Sequence, residues 1–149
     1  MGANPRTKGA SGEREVADML NDIVDVVRAE KGLPVLEKRD RPFQRNQNQS
    51  AVGGDDLTNP YRLSIEVKRQ EALSVNTWWK QCVESCARFD NIAILIFKQN
   101  RKKWRIMMWA DLPMQPHTAT THKTLAHQRV EIDLDTFKAW FKLYVEGWF

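Results

Sequence analysis

The sequence has no long apolar run: its longest, Ile92 to Phe97, is six residues. A membrane-crossing helix needs roughly 20, so a helical membrane anchor is excluded. No apolar stretch follows the first charges, and no secretory signal is expected. Arg6 stands where myristoylation after Met1-Gly2 would require Ser or Thr. The expectation is a soluble, cytoplasmic protein.

Cysteine is scarce too. Cys82 and Cys86, the only two, are spaced C-x3-C, which is neither a redox C-x-x-C nor half of a zinc site. Helical spacing puts them on one face beside Trp78, Trp79 and Val83, the pattern of free, buried thiols. The three histidines, His117, His122 and His127, recur every five residues. That interval suits neither a helix face nor a zinc knuckle.

What is present is ordinary for one globular domain: 149 residues, 42% hydrophobic and 28% charged. The net charge of +4 is small, and its placement matters more than its size. Lys98, Arg101, Lys102, Lys103 and Arg105 stand together with no intervening acid, and the remainder of the chain is nearly balanced.

Periodicity predicts a helix from about Ser11 to Glu30, with Val16, Leu20, Ile23 and Val27 at 3.6-residue spacing, ended by Gly32 and Pro34. A short strand and a polar loop (45–50) should follow, then a Gly53-Gly54 turn. Leu63 to Lys68 alternates as a strand. Asn76 to Arg88 reads as a helix. Ile92 to Phe97 suits a strand buried on both faces, and Trp104 to Trp109 suits its hairpin partner. Residues 110–128, with Pro113, Pro116 and many threonines, read as a long loop or insertion. Asp133 or Asp135 should cap a last helix whose Leu134, Phe137, Trp140, Phe141, Tyr144, Val145 and Trp148 form an aromatic stripe, suited to core or dimer contact. The order predicts an α/β fold with a mixed sheet.

Three acidic features stand out. Glu13 lies about 60° from Val16 and about 20° from Leu20 on the helical wheel, so a carboxylate sits on the apolar face. It either reaches water near the helix start or belongs to a buried site. Glu66 and Lys68 project from one face of a strand roughly 7 Å apart. They are either a minor surface ion pair or half of a site completed by Asp55 or Asp56. An acidic pair with a lysine matches what a hard cation and a phosphodiester require.

Taken together, KGASGERE (8–15), GGDDL (53–57) and IEVK (65–68) resemble the PD-(D/E)xK nuclease superfamily. The opening block, KG followed three residues later by GER, is similar to archaeal-type Holliday junction resolvases and their phage-encoded relatives. The resemblance covers about 8–109 and leaves 110–149 as a C-terminal extension of a single nuclease domain spanning 1–149. It implies a restriction-endonuclease-like core: a mixed central β-sheet flanked by helices. Glu13 matches the family's helix glutamate, and Glu66 and Lys68 match the E-x-K. Asp56, preceding Leu57, matches the aspartate better than Asp55, although Gly54-Asp55 replaces the family's proline and leaves both open. Gln81 falls where related nucleases keep a glutamine or lysine, or is an ordinary boundary residue. The implied activity is that of a Mg2+-dependent endodeoxyribonuclease with Mn2+ able to substitute. Asp56, Glu66 and Glu13 would be ligands and Lys68 a charge stabiliser. A homodimer would cut four-way DNA junctions in recombination, in a bacterial host cell if phage-encoded. Nucleases of duplexes, flaps or ends, and a non-catalytic DNA-binding module, are the alternatives. DNA contacts would come from Lys8, Arg14, Arg45, Lys98, Arg101, Lys102 and Lys103.

Overall fold

The structure, a computed structural model, describes residues 5–47, 55–87, 89–114 and 125–149. The first helix, α1 (Pro5–Glu30), starts six residues ahead of its expected boundary. Proline is tolerated in a helix's first turn, where its missing N–H has no partner to lose. Gly12 lies where a Cβ would come within 3.5 Å of Arg69 and Trp104, so helix and sheet approach closely there. At the other end Gly32 adopts φ +70° and the Leu33 amide returns to the Arg28 carbonyl at 2.9 Å. This is the left-handed glycine stop that the sequence announces.

Six strands form one sheet in sequence order: β1 (Gln44–Arg45), β2 (Leu57–Thr58), β3 (Leu63–Gln70), β4 (Ile92–Gln99), β5 (Arg105–Pro113) and β6 (Leu125–Asp133). All neighbours are antiparallel except β3 and β4, which run parallel with Glu66 opposite Leu95 and Lys68 opposite Phe97. The parallel pair needs a crossover, supplied by α2 (Val75–Ala87). A 3-10 turn at Lys38–Asp40 precedes β1. The mixed sheet with helices on both faces is the expected α/β, restriction-endonuclease-like architecture.

On one face α1 and the last helix, α3 (Leu134–Glu146), cover Leu63, Ile65, Val67, Ile94, Ile96 and Ile106. Phe137, Phe141 and Val145 are fully buried there, and Asp133 caps α3 by accepting from the Thr136 amide at 2.7 Å. Phe137, Phe141 and Val145 of the aromatic stripe are therefore core, Leu134, Trp140 and Tyr144 pack against it partly buried, and Trp148 stays exposed. On the other face α2 buries Trp78, Trp79 and Cys82 against Ala93, Leu95, Phe97 and Met107. Both cysteines are free, Cys82 buried and Cys86 half-buried. With both faces covered, β3 buries Ser64 and Glu66 as well as Leu63, Ile65 and Val67.

The expectation of a loop across 110–128 is corrected: 110–113 and 125–128 are paired strand, Ala110 opposite Gln128 and Pro113 opposite Leu125. This end of the hairpin extends past the last β4 partner, and β6 alternates only between half-buried and exposed. Without a buried face there is no hydrophobic period to read. Gly53, Gly54, His117 and His122 lie outside the described residues. His127 is exposed, 2.9 Å from Asp111 and stacked on Trp109.

Candidate active site

The acidic residues meet where β2 ends against β3. Strand β2 reaches only as far as the Leu57–Ile65 pair. Beyond it the Val67 amide donates to the Asp56 side chain at 2.7 Å, so Asp56 replaces the missing strand partner. Asp56 is also held by its backbone, its N–H on the Ile65 carbonyl (3.0 Å) and its carbonyl on the Asn46 amide (2.9 Å). Asn46 donates its side-chain amide to the Asp55 carbonyl at 3.0 Å. One bond thus holds the carboxylate and two hold the backbone that carries it.

Glu66 comes from β3 and is 8% exposed, with its Oε1 receiving Lys68 Nζ at 2.8 Å. Glu13 comes from α1, is 7% exposed, and receives Arg45 Nε at 2.6 Å. The wheel reading of Glu13 as an inward carboxylate thus holds, and Arg45 is its charge partner rather than a free surface cation. Burying carboxylates is costly unless they are paired, and each here has a cation or an N–H.

Electrostatic coupling shows that the four groups form one cluster. Burial, then the Glu66 charge, push the Asp56 carboxyl up to about 7. The Val67 N–H pulls it down, Glu13 raises it and Lys68 lowers it. Burial disfavours the Lys68 ammonium, but its bond to Glu66 and the charges of Glu66, Asp56 and Glu13 outweigh this, and its pKa is raised. Asp55 turns elsewhere. Burial raises its carboxyl, a Ser64 hydrogen bond lowers it, and only Glu66 of the cluster bears on it. Of the two adjacent acids, Asp56 is the one joined to Glu13, Glu66 and Lys68.

Gln81 is exposed on α2, and no hydrogen bond among the described residues ties it to the carboxylates. Lys8 pairs with Glu71 at 3.2 Å. Lys98 lies over the Trp104 ring at 4.7 Å and 3.8 Å from Glu15. Arg14, Arg101, Lys102 and Lys103 are exposed. Two roles had no sequence signal. Asn46 braces the acidic turn from inside a run of look-alike Asn and Gln residues. Glu15 accepts from Trp104 Nε1 at 3.0 Å, a partner 89 residues away.

The donor set suits a hard divalent cation: Asp56 and Glu66 offer carboxylate oxygens, and the strain on Asp56 is what a nearby cation would relieve. Among the described residues no three His, Cys, Asp or Glu converge as a ready-made metal cage.

The mixed sheet thus carries an acid, an E-x-K strand and a helix glutamate side by side. The family described as "Phage putative PDDEXK endonuclease" matches residues 4–148. The chain belongs to this family, and with it to the PD-(D/E)xK endonucleases. A solved structure of Archaeoglobus fulgidus Hjc, a Holliday junction resolvase from an archaeal hyperthermophile, is similar at 22% identity and a TM-score of 0.33. It covers 65% of this chain and 76% of that one. A search of curated protein sequences finds no match. Among the described residues no helix is long and apolar enough to cross a membrane.

Proposed function

We propose that this protein is a Mg2+-dependent endodeoxyribonuclease, a single nuclease unit across 1–149, that acts on four-way DNA junctions as a homodimer. The observation that carries the catalytic part is the burial of Glu13, Asp56 and Glu66 from three separate stretches of chain, partnered by Arg45, the Val67 amide and Lys68. A pure DNA-binding module would gain nothing from three acids turned toward phosphate. The KGASGERE opening supports the junction preference.

Asp56 and Glu66 would hold the cation, with Glu13 the third acid of the cluster. When bound, the cation polarises the scissile phosphate and lowers the pKa of its water. The protein's own contribution is placement. Asp56 is immobilised by the Val67 amide and its two backbone bonds, and Glu66 by Lys68. Catalytic groups held in this way need little reorganisation as charge develops. Lys68, kept cationic by its acidic neighbours, faces the charge that grows on the phosphorane oxygens. Arg45 pairs with Glu13 and ties β1 to α1.

The test offers end-labelled four-way junctions, linear duplex and flap DNA with Mg2+. Preferential junction cutting by paired opposite incisions is expected. Equal cutting of duplex and junction would remove the junction preference and leave a general DNA endonuclease.

A further inference from the structure

Between α1 and the segment 38–47 runs a groove of about 300 Å³, lined by Arg14, Asp18, Asn21, Lys38, Arg41 and Arg45 among others. Its size is at the lower end of ordinary ligand pockets, and its lining is polar. Four cations face one carboxylate, Asp18. Two of the four are committed: Arg41 to Asp22 and Asp25, Arg45 to Glu13. Among the described residues no ion pair holds Arg14 or Lys38, and both are exposed on facing walls. The wall is rigid below them. Asn21, 3% exposed, donates to the Phe43 carbonyl and accepts from the Phe43 amide, both at 2.9 Å. Arg45 lies in both places: it lines the groove and bonds Glu13. The groove therefore opens directly beside the acidic cluster.

We propose that this groove seats one backbone phosphate of the DNA strand flanking the cut, gripped by Arg14 from α1 and Lys38 from the 3-10 turn. The proposal rests on the nuclease reading above and deepens it. It adds Lys38, which no motif marks, and gives the acid-rich site its counterweight. The scissile phosphate must approach three carboxylates, and two uncompensated cations on the adjoining phosphate offset that repulsion. Contacts of this kind set the register of the strand without reading its sequence.

Binding is measured in EDTA, so that no strand is cut. The probes are a labelled four-way junction and a linear duplex, each carrying one neutral methylphosphonate linkage moved stepwise along the strand. In the native protein one or two positions should weaken binding about threefold or more. In Arg14→Gln/Lys38→Gln that penalty should vanish, and the slope of log affinity against log salt should fall by about 1. Each single variant should remove about half of the slope change. Lys138→Gln, on α3, is the matched control and should change neither. An unchanged methylphosphonate pattern and slope in the double variant would overturn the proposal, as would an equal loss in Lys138→Gln. If the pattern holds and the native protein cuts nothing when Mg2+ is added, the groove stands and the nuclease reading falls.

Discussion

The Asp56 carboxylate occupies the place of a missing β-strand, taking the Val67 amide at 2.7 Å where β2 has already ended. A side chain that completes a sheet edge is held more firmly than one on a loop. This bond also sets Asp56 between Glu66, which extends from one face of β3, and Glu13, which comes from α1 over the other.

Such a site costs stability. The Asp56 carboxyl rises from the usual range to about 7, first through burial and then through Glu66. For an acid raised on folding, the folded state binds the extra proton. The contribution is fully present below about pH 4, the unfolded value, and is lost as pH rises toward 7. Without divalent cation, urea unfolding should therefore show stability declining between about pH 4 and pH 7, by at most about 4 kcal/mol from this group. Asp56→Asn, which keeps an acceptor for Val67, should flatten the profile and be about 1–2 kcal/mol more stable at pH 7.5. A native profile that rises through this window would be contrary.

Divalent cation should reverse part of that loss. Ligands that bind only the folded state raise its stability with concentration, so millimolar Mg2+ or Mn2+ should raise the Tm of the native protein. In Asp56→Asn and Glu66→Gln the shift should shrink by at least half. Equal shifts in all three proteins would place the cation elsewhere.

The Glu13–Arg45 pair joins α1 to β1 at 2.6 Å. Arg45→Met should destabilise by about 1–2 kcal/mol, because the partner left behind is a buried carboxylate. Glu13→Gln should recover part of that loss in the double variant, a non-additivity that thermal unfolding would read. Strict additivity would mean the two do not interact. Glu13→Ala with full nuclease activity would remove Glu13 from the site altogether.

Asn21 is the brace beneath the groove, and its amide makes both hydrogen bonds to Phe43. Asn21→Leu strands a buried N–H and C=O and should cost about 2–4 kcal/mol. Chemical denaturation of the purified variant reads this directly.

Much of this was legible in the chain. Ile92 to Phe97 announced a strand covered on both sides, and Glu13, Glu66 and Lys68 were visible as residues at odds with their surroundings. Other parts were not. Leu63 to Lys68 reads as half-exposed because its alternate residues are polar, yet α2 covers them and the polarity belongs to the site. The helix expected from Ser11 begins at Pro5, since the turn before Ser11 offers no apolar period and proline is tolerated in a first turn. That Asp56 rather than Asp55 accepts from the Val67 amide needed the register of β2 on β3. Residues 110–113 and 125–128 had no buried face to give them a period.

The most direct measurement is cleavage of a labelled DNA junction by native protein, Glu66→Gln and Lys68→Ala, each shown to be folded, with Mg2+ and with EDTA. The account predicts cutting by native protein only with Mg2+, and a loss of at least about a hundredfold in both variants. Undiminished cutting by either variant, or by native protein in EDTA, would contradict it.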